Sequence, residues 1–362
     1  MPTPPPPSPT NSFSGICSGH KATAAQKGND MKTVSINVMN LCVPCENRCR
    51  YCLLNYDGKV NGADWKRSKD YAQRFHDWLK TNRPDLSFLF GFGYSMEHPD
   101  LLGAIDFCQS IGSATGEFLQ FDGMKFRTDE ELEELLRQLK AHGIKLIDLT
   151  FYGTEIYHDR FAARQGDYQL MMRTLEIASK IPLDVSVSIP ITHENAGQID
   201  ALIAAVNPHR PQRISVFIPH CEGRGYLLDS VRFSEEDERR LSADVQSRIN
   251  RNRFKTEGEW LKTGFPSVSK RVLTVTLTPE NLPFFEGLSF EETIAYLERL
   301  DDEYYTAMPS VEELAKIYGD PKGNRYYSAR DLYLSYQRRH LADHRLDLYD
   351  INDERQCFSR RF

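Results

Sequence analysis

The chain has 362 residues, with 45 lysines and arginines against 51 aspartates and glutamates, and carries a net charge of −6 at pH 7. This length suggests a main domain with an additional region. The acidic balance argues against a nucleic-acid-coating surface, and no apolar run approaches the roughly 18 residues that span a bilayer. Without a recognisable signal peptide, we expect a cytoplasmic protein that binds neither nucleic acid nor membranes.

Residues 1–31 are predicted to form a disordered tail. They include the proline run Pro4 to Pro7 and continue with serine, glycine, lysine and asparagine. Such a segment buries too little apolar surface to offset the entropy lost on ordering.

Between residues 32 and 228, strand-like segments alternate with helical ones. The predicted strands are 33–40, 86–92, 117–122, 145–152, 183–190 and 213–219, and the predicted helices are 67–81, 100–111, 128–142, 167–180 and 195–206. This alternation is typical of an α/β fold in which helices surround a parallel sheet. Six βα units are too few to close an eight-stranded barrel.

Polar residues alternate with apolar ones along several of these strands. If the sheet curves, the apolar faces pack against helices and the polar faces line a lumen. A closed barrel fills its lumen mostly with valine, isoleucine and leucine, so a polar lumen indicates a cavity for a polar ligand. A half-exposed sheet is the alternative. The candidate lining residues are Asn37, Gln120, Asp122, Asp148, Thr150, Ser186, Ser188 and Ser215.

Residues 229–362 are predicted to form a mainly helical region that closes the barrel mouth. The predicted helices are 234–252, 289–300, 310–318 and 328–341, with one apolar strand at 271–277. Capping boxes begin two of the helices, Ser289 with Glu292 and Ser310 with Glu313.

Three closely spaced cysteines, Cys45, Cys49 and Cys52, form a CxxxCxxC motif. Three thiolates can hold a [4Fe–4S] cluster and leave its fourth iron open to another ligand. Together with Cys42 the run becomes C-x2-C-x3-C-x2-C, which leaves a zinc site as an alternative. Zinc sites usually separate two cysteine pairs by more residues, so the cluster is the favoured interpretation.

The motif, with Tyr51 before its last cysteine, resembles the signature of the radical S-adenosylmethionine (SAM) superfamily. The resemblance implies a partial (βα)6 TIM-like barrel, a [4Fe–4S] cluster on the three cysteines, and SAM chelated to the open iron. It also implies reductive cleavage of SAM to a 5′-deoxyadenosyl radical that abstracts hydrogen from a substrate. A flavodoxin- or ferredoxin-type reductant would supply the electron.

The segment Gly91 to Leu101 resembles the Gly-Gly-Glu-Pro loop of this family, but Phe92, Tyr94 and Ser95 replace Gly, Glu and Pro. The resemblance implies that Phe92, Gly93 and Tyr94 bind the methionine amino group of SAM through backbone carbonyls. Because the usual glutamate is missing, a non-catalytic iron–sulfur sensor or scaffold protein remains an alternative.

The resemblance also suggests the remaining cofactor contacts. The backbone of Tyr51 would contact the adenine, and the hydroxyl groups of Thr150 and Ser188 would contact the ribose. Tyr157 to Tyr168 resembles a His-Asp-x-x-Arg-Gly segment, in which Arg164 or Arg160 would pair with the SAM carboxylate. An ordinary surface arginine is an equal alternative.

Cys221 follows the sixth predicted strand, where some family members keep a cysteine that donates a hydrogen atom to the product radical. A small buried residue is the simpler interpretation of a lone cysteine. Only Cys357 follows Cys221, so no auxiliary-cluster domain is recognisable. That lack and the polar lumen favour a small polar substrate, such as a sugar, nucleoside or amino acid, and a ribosomally made precursor peptide is the second possibility.

Overall fold

The computed structural model describes residues 32–40, 45–53, 62–92, 96–113, 116–266 and 270–348. Its strands are β1 (Lys32–Asn40), β2 (Ser87–Gly91), β3 (Phe118–Gln120), β4 (Leu146–Thr150), β5 (Asp184–Pro190), β6 (Arg213–Phe217), β7 (Phe254–Thr256), β8 (Lys270–Leu277) and β9 (Tyr326–Ser328). The tail 1–31, Cys42, the segment 93–95 and Cys357 lie outside the described residues.

Helices surround these strands. They are α1 (Trp65–Asn82), α2 (Leu101–Ser110), α3 (Asp129–Ala141), α4 (Glu155–Ala162), α5 (Asp167–Ala178), α6 (Ile199–Val206), α7 (Glu235–Glu238), α8 (Ala243–Ser247), α9 (Glu257–Thr263), α10 (Leu282–Glu286), α11 (Phe290–Ala307), α12 (Val311–Tyr318) and α13 (Ala329–His344). A nine-residue 3-10 helix, Gly223–Val231, follows β6.

Two parallel sheets form the framework, with strand orders β2-β1-β8 and β3-β4-β5-β6. All six strands predicted before residue 228 are present, so the α/β fold with parallel sheets is confirmed. The C-terminal part is mainly helical, as predicted. The division of the chain at residue 228 stays a prediction.

Strand β8 changes the picture of the C-terminal region. It pairs in parallel with β1 along its whole length, from Lys32 opposite Lys270 to Asn40 opposite Leu277. The position of this strand was predicted correctly, but its partner was not, because pairing across more than 230 residues leaves no local signal. A seventh parallel strand therefore extends the sheet beside β1.

Aromatic packing joins the first and last parts of the chain on the helical side of the sheet. The ring of Phe75 on α1 stacks on Phe290 of α11 with centroids 4.6 Å apart, and Phe88 of β2 lies 6.0 Å from Phe75. Ile36 and Val38, on the same face of β1, are fully buried. The apolar face of β1 thus packs against helices, and the space in front of the opposite, polar faces of the strands is called the lumen below.

Helix boundaries follow side-chain caps. The predicted capping boxes at Ser289 and Ser310 are present, and Thr128 forms another at the start of α3. The single helix predicted at 234–252 is wrong, because Ser234 caps α7 and Ser242 caps α8, so the segment forms two short helices. Helix α4 and the antiparallel pair of β7 and β9 were not predicted.

Within the described residues, the structure contains no helix with the length and apolar character needed to traverse a bilayer.

The place of β8 in the barrel can be tested through Leu273, which is fully buried on this strand. We expect Leu273→Ala to lower the free energy of unfolding by about 2–5 kcal/mol, because the truncation leaves a cavity in the shared core. Urea unfolding followed by circular dichroism measures this. Ile317→Ala, at a side chain that is 62% exposed, should change it by less than about 0.5 kcal/mol. If the protein unfolds in two steps and Leu273→Ala destabilises only the smaller step, β8 does not share its core with the rest of the fold.

Candidate iron–sulfur and SAM site

Residues 45–53, here called the cluster loop, carry the three motif cysteines just beyond the end of β1. Cys45, Cys49 and Cys52 form no disulfide with any described cysteine, and all three are partly exposed. Burial is the main cause of the raised pKa of Cys45 and Cys49, and repulsion among the three neighbouring thiols adds to it. The structure therefore brings together the cysteines that the motif singled out.

The cluster loop is fixed by backbone hydrogen bonds to three other segments, which follow β3, end α4 and follow β6. These bonds run from Glu46 N to Gly123 O (2.8 Å), from Arg48 N to Ala162 O (2.9 Å), from Arg50 N to Phe161 O (2.9 Å) and from Arg224 N to Cys52 O (3.0 Å). Segments distant in sequence thus set the path of the cluster loop, because nine residues without helix or strand do not fix their own conformation.

The buried carboxylate of Asp167 binds the cluster loop through Asn47. It accepts hydrogen bonds from Asn47 Nδ2 (3.0 Å), His158 Nε2 (3.0 Å) and Arg164 Nη1 (3.2 Å), and is 1% exposed. The backbone N–H of Tyr152 donates to His158 Nδ1 at 3.2 Å, which assigns the proton of a neutral His158 to Nε2. Asn47 lies between Cys45 and Cys49, so this network orients the loop that bears the thiols.

Arg164 belongs to this support. Its Nη1 also donates to the carbonyl oxygen of Met124, and its guanidinium lies 4.0 Å from the ring centroid of Phe126. Arg160 is exposed and stacks over Tyr157 at 5.1 Å. The segment that resembles His-Asp-x-x-Arg-Gly therefore anchors the cluster loop, and a contact between Arg164 and the SAM carboxylate stays a prediction.

Glycines allow neighbouring segments to approach the cluster loop. A Cβ atom on Gly123 would overlap the sulfur of Cys45, and its φ of +66° also favours glycine. A Cβ on Gly223 would overlap the carbonyl oxygen of Leu53, and one on Gly225 would lie 3.2 Å from the ring of Tyr51. The sequence analysis did not single out Gly123. This close packing of Gly123 against the sulfur of Cys45 is called the glycine cradle below. It fits a sulfur that must keep its other side available for binding iron.

The donor set also fits a cluster. Burial raises the pKa of Cys45 to about 11 and that of Cys49 above its ordinary range, although the hydroxyl of Tyr152, 3.4 Å from the sulfur of Cys49, opposes the second shift. Iron binding would deprotonate these thiols. In the described parts of the chain, no three His, Cys, Asp or Glu side chains converge on one metal ion. A [4Fe–4S] cluster does not require that convergence, because each cysteine binds a different iron.

Polar side chains occupy the lumen at the level of the cluster loop. Asp122 accepts hydrogen bonds from the backbone N–H of Thr150 (3.0 Å), from its hydroxyl (2.8 Å) and from Gln120 Nε2 (3.0 Å). Thr150 on β4 lies opposite Ser188 on β5. The structure therefore places the two predicted ribose contacts side by side, while their role stays a prediction.

Asp148 forms a second polar group, between β4 and β5. Its Oδ1 accepts hydrogen bonds from the hydroxyls of Ser186 and Ser188, the latter at 3.0 Å. Burial raises the pKa of Asp148 to about 7, and repulsion from Asp122 adds to this shift, while the two serine hydrogen bonds oppose it. Asp148 is thus a lumen carboxyl group that changes charge near neutral pH.

Strand β8 contributes lumen residues that the sequence analysis missed. Thr274 and Thr276 lie opposite Asn37 and Met39 of β1, and they alternate with the core residues Val275 and Leu277. The alternation was visible in the sequence, but the strand had been assigned to a helical region outside the barrel. The alternation along β8 therefore predicted which of its faces is polar. The pairing of β8 with β1 was needed to show that this polar face continues the polar face of β1.

The other predicted cofactor residues are partly placed. Tyr51 is 6% exposed and packs against Phe161, and Phe92 is 2% exposed and packs against His98. Gly93 and Tyr94, which were expected to bind the methionine amino group together with Phe92, lie outside the described residues. Their roles stay predictions.

Cys221 lies in a buried environment, unlike the partly exposed cysteines of the motif. It is 1% exposed and belongs to a buried cluster of the C-terminal region with Trp260 and Tyr327, and its sulfur accepts a hydrogen bond from Arg232 Nη2 at 2.7 Å. Burial raises the pKa of this thiol above its ordinary range. This environment gives the hydrogen-donor role no support, and that role stays a prediction.

The glycine cradle can be tested with two alanine substitutions. Gly123→Ala should lower the affinity for the cluster by about tenfold or more, because the new methyl group displaces the sulfur of Cys45. Iron and acid-labile sulfide per chain, measured after anaerobic reconstitution, report the loss. Gly112→Ala is the matched control, since Gly112 has a similar φ of +71° but no atom within 4 Å of the added Cβ. Equal cluster content in the two variants would contradict the cradle.

The charge of Asp148 predicts a pH dependence of stability. Since its pKa is raised from 3.8 to about 7 by folding, the folded protein retains a proton that the unfolded chain loses, and stability declines as pH rises between about 4 and 7. We expect Asp148→Asn to be more stable than the parent at pH 8 by about 1–4 kcal/mol, with the difference vanishing near pH 4. Anaerobic denaturation across pH measures this.

Asp184→Asn, at the exposed start of β5, serves as the control and should show no comparable difference. If Asp148→Asn changes the free energy of unfolding by the same amount at every pH, the carboxyl group of Asp148 does not change its charge between pH 4 and pH 8, and the prediction is wrong.

Comparison with known proteins gives a family match. Residues 39–206 match the model of the Radical SAM superfamily. No curated protein is similar enough to match.

Solved structures give weaker likenesses. Streptococcus suis SuiB bound to its precursor peptide SuiA is 13% identical, with a TM-score of 0.43, and the match covers 76% of this chain and 57% of SuiB. Coproporphyrinogen III oxidase (HemN) from Escherichia coli, a radical SAM enzyme, is 11% identical, with a TM-score of 0.43 and coverage of 85% and 91%. The enzyme anSMEcpe with bound AdoMet and Cp18Cys peptide is 12% identical, with a TM-score of 0.44 and coverage of 86% and 99%.

The chain therefore spans little more than half the length of SuiB. Scores this low support no inference about substrate or partner. The family match covers the end of β1, the cluster loop, β2 to β5 and the network of Asp167. Members of this family use a [4Fe–4S] cluster and SAM, as the cysteine motif predicted. Residues 39–206 match the radical SAM superfamily model, and this part of the chain is therefore identified as a radical SAM domain.

Proposed function

We propose that the chain is an enzyme that reductively cleaves SAM and uses the 5′-deoxyadenosyl radical to abstract hydrogen from a small polar substrate held in the lumen. The main supporting observation is the continuity between the thiols and the polar lumen. Asp122 and Gly123 are consecutive residues, of which Asp122 binds Thr150 and Gly123 lies against the sulfur of Cys45. A ligand in the lumen would thus lie beside the cluster loop.

Cys45, Cys49 and Cys52 would hold the cluster, and the cluster with SAM, when bound, supplies the one-electron chemistry that generates the radical. The cluster loop holds the thiols in place through Asn47 and Asp167. Tyr51 would contact the adenine through its backbone, and Phe92 to Tyr94 would contact the methionine amino group. A flavodoxin- or ferredoxin-type protein would provide the electron.

The hydroxyl groups of Thr150 and Ser188 suit the proposed ribose contact. Thr150 donates its proton to Asp122, and Ser188 donates its proton to Asp148. Because a hydroxyl group has a single proton, both oxygens then present only lone pairs, which accept hydrogen bonds from ribose hydroxyls. The two lumen carboxyl groups therefore orient the two hydroxyls.

The proposal is tested by anaerobic reconstitution with iron and sulfide, followed by addition of dithionite and SAM. We expect 5′-deoxyadenosine and methionine from the parent protein. Alanine variants of Cys45, Cys49 and Cys52 should abolish both, whereas Cys108→Ala, at a buried thiol of α2, should retain them.

A protein that binds the cluster but releases no 5′-deoxyadenosine would contradict the proposal and favour the sensor or scaffold alternative.

A further inference from the structure

We propose that Asp148 binds an ammonium group, so that the substrate held in the lumen is an amine. This inference deepens the proposed function, and it rests on that function only in identifying the bound amine as the substrate. The binding site itself is argued from Asp148, its neighbours and the opposite wall of the lumen.

The position of Asp148 suits a ligand contact. It faces the lumen, because the neighbouring residues Ile147 and Leu149 are fully buried in the core on the other side of β4. Both serine hydroxyls donate to Oδ1, and within the described residues no side chain or backbone group donates to Oδ2. Asp148 is only 7% exposed. An oriented carboxyl group with one open oxygen thus lies inside the barrel.

A second unsatisfied polar group lies on the opposite sheet. Thr276 of β8 is 4% exposed, and its Oγ1 has no hydrogen-bond partner among the described residues. Its alternation with Val275 and Leu277 places it on the lumen face. Leaving a buried polar group unpaired costs about 1–3 kcal/mol, so a ligand that contacts both walls would recover free energy at each. This observation is independent of the carboxyl groups and also indicates a polar ligand.

The charges around Asp148 favour a cation over a neutral hydroxyl group. Asp122, on the segment after β3, repels a charged Asp148, whereas Ser186 and Ser188 on β5 are neutral donors. Arg213, at the exposed start of β6, lowers the pKa of Asp148, but its effect is smaller than those of burial, the two serines and Asp122. No described lysine or arginine forms an ion pair with Asp148.

An ammonium group supplies both the positive charge and the hydrogen-bond donors that this site lacks among the described residues. It provides the positive charge that a buried carboxylate needs and up to three N–H donors for the open oxygens of the lumen. A neutral alcohol supplies a donor but no charge. Since a bound cation stabilises the ionised carboxylate, binding should strengthen as pH rises and Asp148 loses its proton.

The site is tested with methylammonium chloride, the smallest probe that any primary amine substrate contains. Thermal unfolding of the reconstituted, SAM-bound protein is compared in methylammonium chloride, potassium chloride and methanol at equal concentration. We expect methylammonium to raise the unfolding temperature above both controls. The shift should disappear in Asp148→Asn and persist in Asp184→Asn. In the parent protein, the apparent affinity should fall by about tenfold for each pH unit below about 7.

Equal shifts in the parent and in Asp148→Asn would overturn the proposal, as would equal effects of methylammonium and methanol. If Asp148→Asn does not fold, the pH profile of the parent decides, and an affinity that is unchanged between pH 7 and pH 5 overturns the site. The same preparation is assayed for 5′-deoxyadenosine. Absence of that product contradicts the proposed function, whereas the methylammonium shift reports on the amine site alone.

Discussion

The three hydrogen bonds that Asp167 accepts hold the cluster loop to the barrel. This carboxylate is buried, and its donors come from the loop itself through Asn47, from α4 through His158 and from the following turn through Arg164. Removal of this acceptor would leave the buried donors of Asn47 and His158 unpaired, at a cost of about 1–3 kcal/mol for each, while Arg164 would keep its bond to the carbonyl oxygen of Met124. The relative positions of the three thiols depend on this support, and every proposal about SAM depends on those positions.

The barrel places polar chemistry directly beside this loop. Parallel pairing sets Thr150 opposite Ser188, and Asp148 opposite Ser186. The apolar residues between them pack outward on helices, which leaves the lumen face to hydroxyl, amide and carboxyl groups. Two of these carboxyl groups, Asp122 and Asp148, repel one another, and this repulsion contributes to keeping Asp148 protonated near neutral pH. The polar face of the sheet thus carries a carboxyl group that changes charge near neutral pH.

Local features of the sequence predicted much of this structure. Capping boxes such as that of Thr128 depend on neighbouring residues, as do the alternation along β4 and the spacing of Cys45, Cys49 and Cys52, so a sequence reveals them. The pairing of β8 with β1 and the approach of Gly123 to Cys45 join distant residues, so no local pattern encodes them. Arg164 has its observed partners beneath the cluster loop, and its contact with SAM stays a prediction.

The central claim is that three cysteines hold an iron cluster whose fourth iron is open to SAM. Mössbauer spectroscopy of anaerobically prepared, 57Fe-labelled protein tests it most directly, because each iron contributes its own signal. The account predicts a [4Fe–4S] cluster in which one iron of the four changes its signal when SAM is added. A spectrum without such a cluster, or one that SAM leaves unchanged, would contradict it.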